Sequence, residues 1–250
     1  MSKIISFKEG HVFVVTINLP KYRNAINAET ADLLFEAFSQ FEADPDLYVA
    51  VLTGANGVFC AGADLKSIAS GKGAPELSMD RQAPLGVSRM KLSKPVIAAV
   101  EGYAVAGGLE LALWCDMRIA SEKSIFGVYC RRFGVPLVDG GTIRLPRLIG
   151  HSRAMDMILT GRGVDSEEAL QMGLINRVVA KGTALEAAIG LAQELSRLPQ
   201  KCMRSDRLSA IEQWDVDLES ALMNETKRGL EVISSGEALD GAKRFIKRQY

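Results

Sequence analysis

Short apolar runs recur along the first two thirds of the chain, most of them closed by glycine or proline. Val12 to Asn18 is β-branched, stops at Leu19-Pro20 and predicts a strand. Tyr48 to Thr53, closed by Gly54, and Val96 to Val100, broken by Gly102, predict two more. These runs lack the in–out alternation of a half-exposed sheet, so they suit a sheet covered on both faces. Met117 to Ala120, Ser124 to Phe126 and Ile175 to Val179 read as further short strands. Between them the period changes. Asn27 is placed to cap a helix running to about Asp44, in which Leu33, Leu34, Ala37, Phe38 and Phe41 form one stripe and Pro45 follows as a stop. Gly107-Gly108 opens a helix through Trp114, Gly140-Gly141 opens one through Leu148, and Ser152 to Leu159 is another. Asp165 and Glu168 have capping-box spacing for a helix ending near Gly173. Ser67 to Pro84, with two glycines, two prolines and few large apolar residues, predicts a mobile surface loop.

From about Leu185 the pattern is helical throughout, in segments 185–198, 200–211, 216–233 and 237–246. Strands that alternate with helices, followed by helices alone, predict an α/β core over residues 1–184. A helical C-terminal region over 185–250 follows it. No repeat of 20–50 residues and no low-complexity tract interrupts this order.

Composition changes the picture mainly by exclusion. The 30 basic and 30 acidic residues cancel, so no global field draws the chain to nucleic acid or to an acidic membrane. The longest apolar run is strand-sized, and the opening Met1-Ser2-Lys3-Ile4-Ile5 lacks the apolar stretch of a signal peptide. Cys60, Cys115, Cys130 and Cys202 form no CxxC pair, so neither a zinc site nor a disulfide framework is expected. Reduced thiols in a cytoplasm are the simpler expectation. His11 and His151 have no partner pattern and read as structural or surface residues.

Two glycine-rich breaks follow buried strands: Phe59-Cys60-Ala61-Gly62-Ala63-Asp64 and Ala106-Gly107-Gly108-Leu109-Glu110. Both fall where a parallel sheet presents its C-terminal edge, the usual place of a ligand crevice. Neither has the spacing of a phosphate loop. What they offer is bare backbone: glycine admits a ligand oxygen close to N–H groups, and a helix start aims free N–H groups at it. Two such donors converging near Ala63 and Gly107 would form an oxyanion hole. Glu110, in the first turn behind Gly107, would set a carboxylate beside the held carbonyl.

With these residues in place the sequence resembles the crotonase (enoyl-CoA hydratase/isomerase) superfamily over nearly its whole length. Asn18-Leu19-Pro20…Asn24-Ala25 is similar to the family's opening motif. Phe59 to Leu65 is similar to its first oxyanion motif, and Lys94 to Ala112 with Cys115-Asp116 to its second. Phe126-Gly127, Gly140-Gly141-Thr142…Arg144-Leu145 and Thr160-Gly161…Gly173-Leu174 follow in family order. The ordered set carries the resemblance, more than any single motif. It implies a ββα spiral core and oxyanion amides at Ala63 and Gly107. It also implies an acyl-CoA thioester passing Ala61, Ala63, Asp64, Leu65 and Lys66, with Lys21, Arg23 and Lys66 near the CoA phosphates. Coenzyme A then arrives as part of the substrate, and no separate cofactor is expected. The resemblance further implies a homotrimer or a dimer of trimers, with the C-terminal helices in the subunit contacts.

The chain departs from the family at one position. In family hydratases a glutamate that aligns with Glu110 handles water, and a second exchanges the proton at the α-carbon. An ungapped count from Cys115-Asp116 through Phe126-Gly127 to Gly140-Gly141 sets Cys130 where that second glutamate stands. A thiol titrates near 8.5 and bonds weakly, so it does not simply replace a carboxylate. Cys130 reads as a buried inert thiol, or as a reactive one if Arg131 and Arg132 lower its pKa. Those arginines otherwise line the channel or join subunits. Asp139 reads as a cap for the helix at Gly140-Gly141, or as the carboxylate that compensates. Asp64 reads as a pin for the oxyanion loop. Enoyl-CoA hydration is the leading expectation. An isomerase, hydrolase or decarboxylase using the same hole stays open, as does a non-catalytic acyl-CoA binder.

Overall fold

The computed structural model describes residues 2–78 and 83–247. It contains two sheets. In the larger, β1 (Ile4–Glu9) and β2 (Val12–Ile17) form an antiparallel hairpin. Parallel strands β3 (Val49–Gly54), β4 (Val96–Val100), β6 (Met117–Ser121) and β9 (Arg177–Val179) continue outward from β2 in that order. The smaller sheet holds β5 (Tyr103–Val105), β7 (Ile125–Gly127) and β8 (Gly163–Asp165). The chain steps from one sheet to the other and then into a helix, giving a wound series of ββα units. Thus β4 and β5 lead into α3 (Gly107–Trp114), while β6 and β7 lead to α4 (Gly141–Ile149). After β3 the bridge Cys60–Ala104 does the work of the short strand before α2 (Leu65–Ser70). This is the ββα spiral that the resemblance implies.

The packing follows from the apolar runs. Alternate residues of β2, β3 and β4 divide between two clusters. Phe13, Val15, Ala50, Leu52, Val96 and Ala98 meet Phe38 and Phe41 of α1 (Ala28–Ala43) on one face. Val12, Val14, Val49, Val51, Ile97 and Ala99 meet Ala188, Leu191 and Ala192 of α7 (Ala184–Ser196) on the other. Asn27 does cap α1, accepting from the Thr30 N–H at 3.0 Å. α5 (His151–Thr160) and α6 (Ser166–Gln171) complete the first part of the chain. Beyond α7, none of α8 (Gln200–Glu212), α9 (Leu218–Ser234) and α10 (Glu237–Ile246) buries a residue within the described chain. No helix among the described residues is long and apolar enough to cross a membrane.

Four elements differ from the sequence expectation. β1 was not foreseen because only Ile4 is buried and the rest of the strand faces outward at the sheet edge. β5 and β8 are three residues each, too short for a periodicity. The segment expected to be a loop from Ser67 begins inside α2, whose N-cap Asp64 accepts from the Lys66 N–H and from the Ser67 hydroxyl. Ala83 and Leu85, at the far end of that segment, are buried core residues; positions 79–82 lie outside the described residues.

Candidate active site

One cavity of about 840 Å³ gathers all ten candidate residues. Its first wall is the turn after β3. Ala63 pairs with Ile26, whose N–H donates to the Gly62 carbonyl and whose carbonyl accepts from Asp64 N–H, both at 2.8 Å. Ile26 thus grips the peptides on both sides of Ala63 and leaves the Ala63 N–H facing away from that pairing. Asn24 locks the same wall from behind. It accepts from Leu19 N–H at 2.8 Å and donates to the carbonyls of Ala55 and Val58.

The second wall is the start of α3. Ala106 holds φ 54° and ψ −126°, an unusual conformation for a residue with a Cβ, and its N–H donates to Gly127 O at 2.8 Å. That backbone starts α3 at Gly107, close beside the turn that carries Ala63. The two walls nearly touch. A Cβ on Gly62 would lie 2.7 Å from Gly107 N, and one on Gly107 would lie 3.5 Å from Ala63 N. Among the described residues, neither the Ala63 nor the Gly107 N–H finds an acceptor. Two unpaired donors side by side in a cavity form a ready site for an anionic oxygen.

Glu110 lies one turn into α3 and is 2 % exposed. Its Oε1 accepts from the N–H groups of Asp139 (2.9 Å) and Gly141 (2.8 Å). Burial pushes its carboxyl from an ordinary 4.5 up to about 7; the nearby charge of Asp139 adds to this, and the two N–H donors oppose it. Such a group holds and releases a proton with similar ease near neutrality.

Asp139, 3 % exposed, is not a helix cap: α4 is capped by Gly140, with no side-chain bond. The aspartate turns inward instead, and its Oδ1 accepts from Leu85 N–H at 3.1 Å and from the Ser88 hydroxyl. Burial raises its pKa, against the pull of those donors and of Arg89 and Arg144. Both buried carboxyls are thus pushed upward, and the Asp139 charge adds to the rise at Glu110.

Cys130 sits in the 3-10 turn Tyr129–Phe133, 7 % exposed, on the same cavity wall as Glu110. Burial first and the Glu110 charge second raise its thiol, and Arg131 opposes only weakly. Arg131 and Arg132 are held elsewhere. Arg131 donates to the Ile158 carbonyl, while Arg132 donates to the Gly161 carbonyl and stacks over Tyr129. The reactive-thiol alternative therefore loses its basis. Cys60 is fully buried, and burial pushes its thiol up to about 12.

Lys21, Arg23, Ala61, Asp64, Leu65 and Lys66 form the cavity's outer wall, with Lys66 Nζ 5.9 Å from the Tyr22 ring centre. The sequence expectation that the 67–84 segment supplies pocket wall holds, since Ile68, Pro75, Leu77 and Pro84 line the cavity; Phe133, Val135 and Val138 supply a further apolar side that sequence reasoning did not foresee. Asn24 carried a signal in its motif; Ser88 and Leu85 carried none. His11 stacks on Tyr48 and bonds the Asp46 carbonyl, and His151 is exposed, so neither joins the site. No group of His, Cys, Asp and Glu among the described residues is arranged to hold a metal ion.

Wound ββα layers with a cavity where their helices start define a crotonase-fold protein. A model of the enoyl-CoA hydratase/isomerase family matches residues 7–249. The chain is 34% identical to enoyl-CoA hydratase EchA19 of Mycobacterium tuberculosis over 249 residues, 97% of this chain and 92% of that protein. It is 40% identical over 190 residues to the carnitinyl-CoA dehydratase of Salmonella typhi, 75% of this chain and 72% of that protein. The crystal structure of enoyl-CoA hydratase EchA1 from Mycobacterium marinum superposes with a TM-score of 0.92 at 34% identity, covering 99% of this chain and 96% of that one. The chain belongs to the enoyl-CoA hydratase/isomerase family.

Proposed function

We propose that this enzyme binds an acyl-CoA thioester and adds water to, or removes it from, its α,β-bond. The Ala63 and Gly107 N–H groups hold the thioester oxygen as negative charge moves onto it. The observation that carries the reading is the convergence of these two unpaired donors on the cavity that holds Glu110. In hydration, ionised Glu110 takes a proton from water as the oxygen attacks the β-carbon. The thioester becomes an enolate in the hole. The proton now on Glu110 then passes to the α-carbon, the enolate collapses, and the carboxylate is restored. A single group with a pKa of about 7 is suited to both transfers. Coenzyme A enters with the substrate, past Ala61, Asp64, Leu65 and Lys66, and Lys21, Arg23 and Lys66 face its phosphates.

Cys130 favours a second reading. A thiol held neutral by burial lies on the cavity wall with Glu110, and on the sequence reading that it aligns with a second carboxylate this suits a reaction needing one acid–base group, such as moving a double bond. The exposed apolar residues of α9, among them Leu218, Leu222, Met223, Leu230 and Ile233, support an assembly of three subunits or two such trimers. The deciding experiment supplies crotonyl-CoA and longer enoyl-CoAs, follows loss of the conjugated absorbance, and identifies products by mass spectrometry. Hydration that disappears in Glu110→Ala is expected. Double-bond migration alone would favour the second reading, and binding without turnover of any acyl-CoA would leave a scaffold.

A further inference from the structure

The pair Gly140-Gly141 has a reason that a helix start does not supply. A Cβ on Gly141 would lie 2.9 Å from Cγ and Oε1 of Glu110, and one on Gly140 would lie 2.3 Å from Nη1 of Arg144. One glycine makes room for the carboxylate and the other for a guanidinium. Arg144, in the first turn of α4, uses that room to reach two carbonyls. Nη1 donates to Asp139 O at 2.9 Å and Nη2 to Ser88 O at 2.6 Å. The Asp139 carbonyl belongs to the peptide lying between the two N–H groups that Glu110 Oε1 accepts. The Ser88 carbonyl belongs to the segment that Asp139 grips through Leu85 N–H and the Ser88 hydroxyl.

We propose that Arg144 is a positioning residue for Glu110: by bridging the Asp139 and Ser88 carbonyls, its guanidinium holds the Asp139 and Gly141 N–H groups on Glu110 Oε1. A single lysine nitrogen does not match this planar two-carbonyl bridge. Asp139, Cys130 and Arg144 are the titratable groups facing Glu110, and Arg89 and Cys60 act on or with Asp139. N–H donors favour the ionised carboxylate, so loosening them moves the titration of Glu110 upward and lets its oxygen wander. A misplacement near 1 Å lowers turnover by as much as ~10²-fold.

The inference rests on the reading of Glu110 as the acid–base group, and its test does not need turnover. In Arg144→Lys and Arg144→Gln, the Glu110 carboxyl is titrated by infrared difference against the same variant carrying Glu110→Gln, without substrate. The pH profile and kcat with crotonyl-CoA are measured alongside. Both variants are expected to titrate Glu110 at higher pH than the parent. Their kcat should fall on the order of 10–10²-fold while KM changes less. Lysine should not rescue. An unchanged titration with only lowered thermal stability overturns the proposal, because Arg144 would then merely tie α4 to the 85–88 segment. A lysine variant that restores the parent titration also overturns it, because charge alone would suffice. Should Arg144→Gln fail to fold, Arg144→Lys carries the test. An upward shift without any hydration of crotonyl-CoA supports the positioning role and counts against the proposed reaction alone.

Discussion

Replacing Glu110 by glutamine should make the protein more stable while removing its activity, and the gain should depend on pH. The carboxyl is 2 % exposed and titrates near 7 rather than 4.5. Folding therefore favours the protonated form. The stability that the proton contributes is complete below about 4.5, is lost as pH rises through about 7, and stays lost above it. At about 1.4 kcal/mol per tenfold change in proton affinity, the ionised carboxylate withholds about 3 kcal/mol from the folded state at pH 8. Glutamine keeps an oxygen for the Asp139 and Gly141 N–H groups and carries no charge. Titrating groups that do not couple to Glu110 are common to both proteins and drop out of the comparison, which leaves Asp139, Cys130 and Arg144 as the neighbours whose titration also feels the exchange.

The assay is calorimetric melting of the ligand-free parent and Glu110→Gln at pH 5 and pH 8. At pH 5 the two should differ little. At pH 8 the variant should melt higher by up to roughly 6–12 °C, taking 2–4 °C per kcal/mol for a chain of this size. Turnover should fall by about 10²–10⁴-fold, the usual worth of one acid–base group. A melting difference equal at the two pH values would refute the reasoning, as would a variant less stable at pH 8. In either case Glu110 would not be a carboxylate stressed by burial.

Other outcomes test the neighbouring parts. Gly62→Ala sets a methyl 2.7 Å from Gly107 N and should lower kcat/KM about 10²–10³-fold, the worth of one oxyanion donor. Gly10→Ala is its control, with a similarly positive φ but open space around it, and should lose a little stability and no activity; equal losses in the two would sink the donor pair. Cys130→Ser exchanges one neutral group for another, so kcat/KM should change by less than about tenfold, under 1.4 kcal/mol of barrier. A larger loss in steady-state assays would make the thiol a participant. Leu222→Lys with Leu230→Lys puts two charges on the exposed face of α9, and sedimentation should report a smaller assembly than the parent. A parent that already sediments as a single chain would remove the subunit reading.

The ease with which these parts were read in the sequence tracks how local their causes are. β3 and β4 announce themselves because every residue but Gly54 is buried, which requires an unbroken apolar run. α1 announces itself through Asn27 and its stripe. β1 turns five of its six residues outward and leaves no pattern to read. The two glycine breaks and Glu110 could be grouped from sequence because a bare backbone followed by an acid is a local pattern, and the structure sets Ala63, Gly107 and Glu110 on one cavity. Of the two readings offered for Asp139, a cap or a compensating carboxylate, the cap fails, and for the opposite reason. Its partners, Leu85 and Ser88, lie more than fifty positions away, and nothing beside it shows that a serine hydroxyl and an N–H will arrive there. Arg144 is the extreme case. It acts on carbonyls, which every residue possesses, so neither Ser88 nor Asp139 needs any particular side chain to receive it. Only the far side of each contact is constrained. At position 140 the positive φ of 96° already calls for glycine and a Cβ would also crowd the guanidinium, while at 141 a Cβ would meet the Glu110 carboxylate. Two glycines that read as the punctuation before a helix are thus the sequence's record of two side chains that must pass through that space. One of them comes from four residues ahead, the other from thirty-one behind.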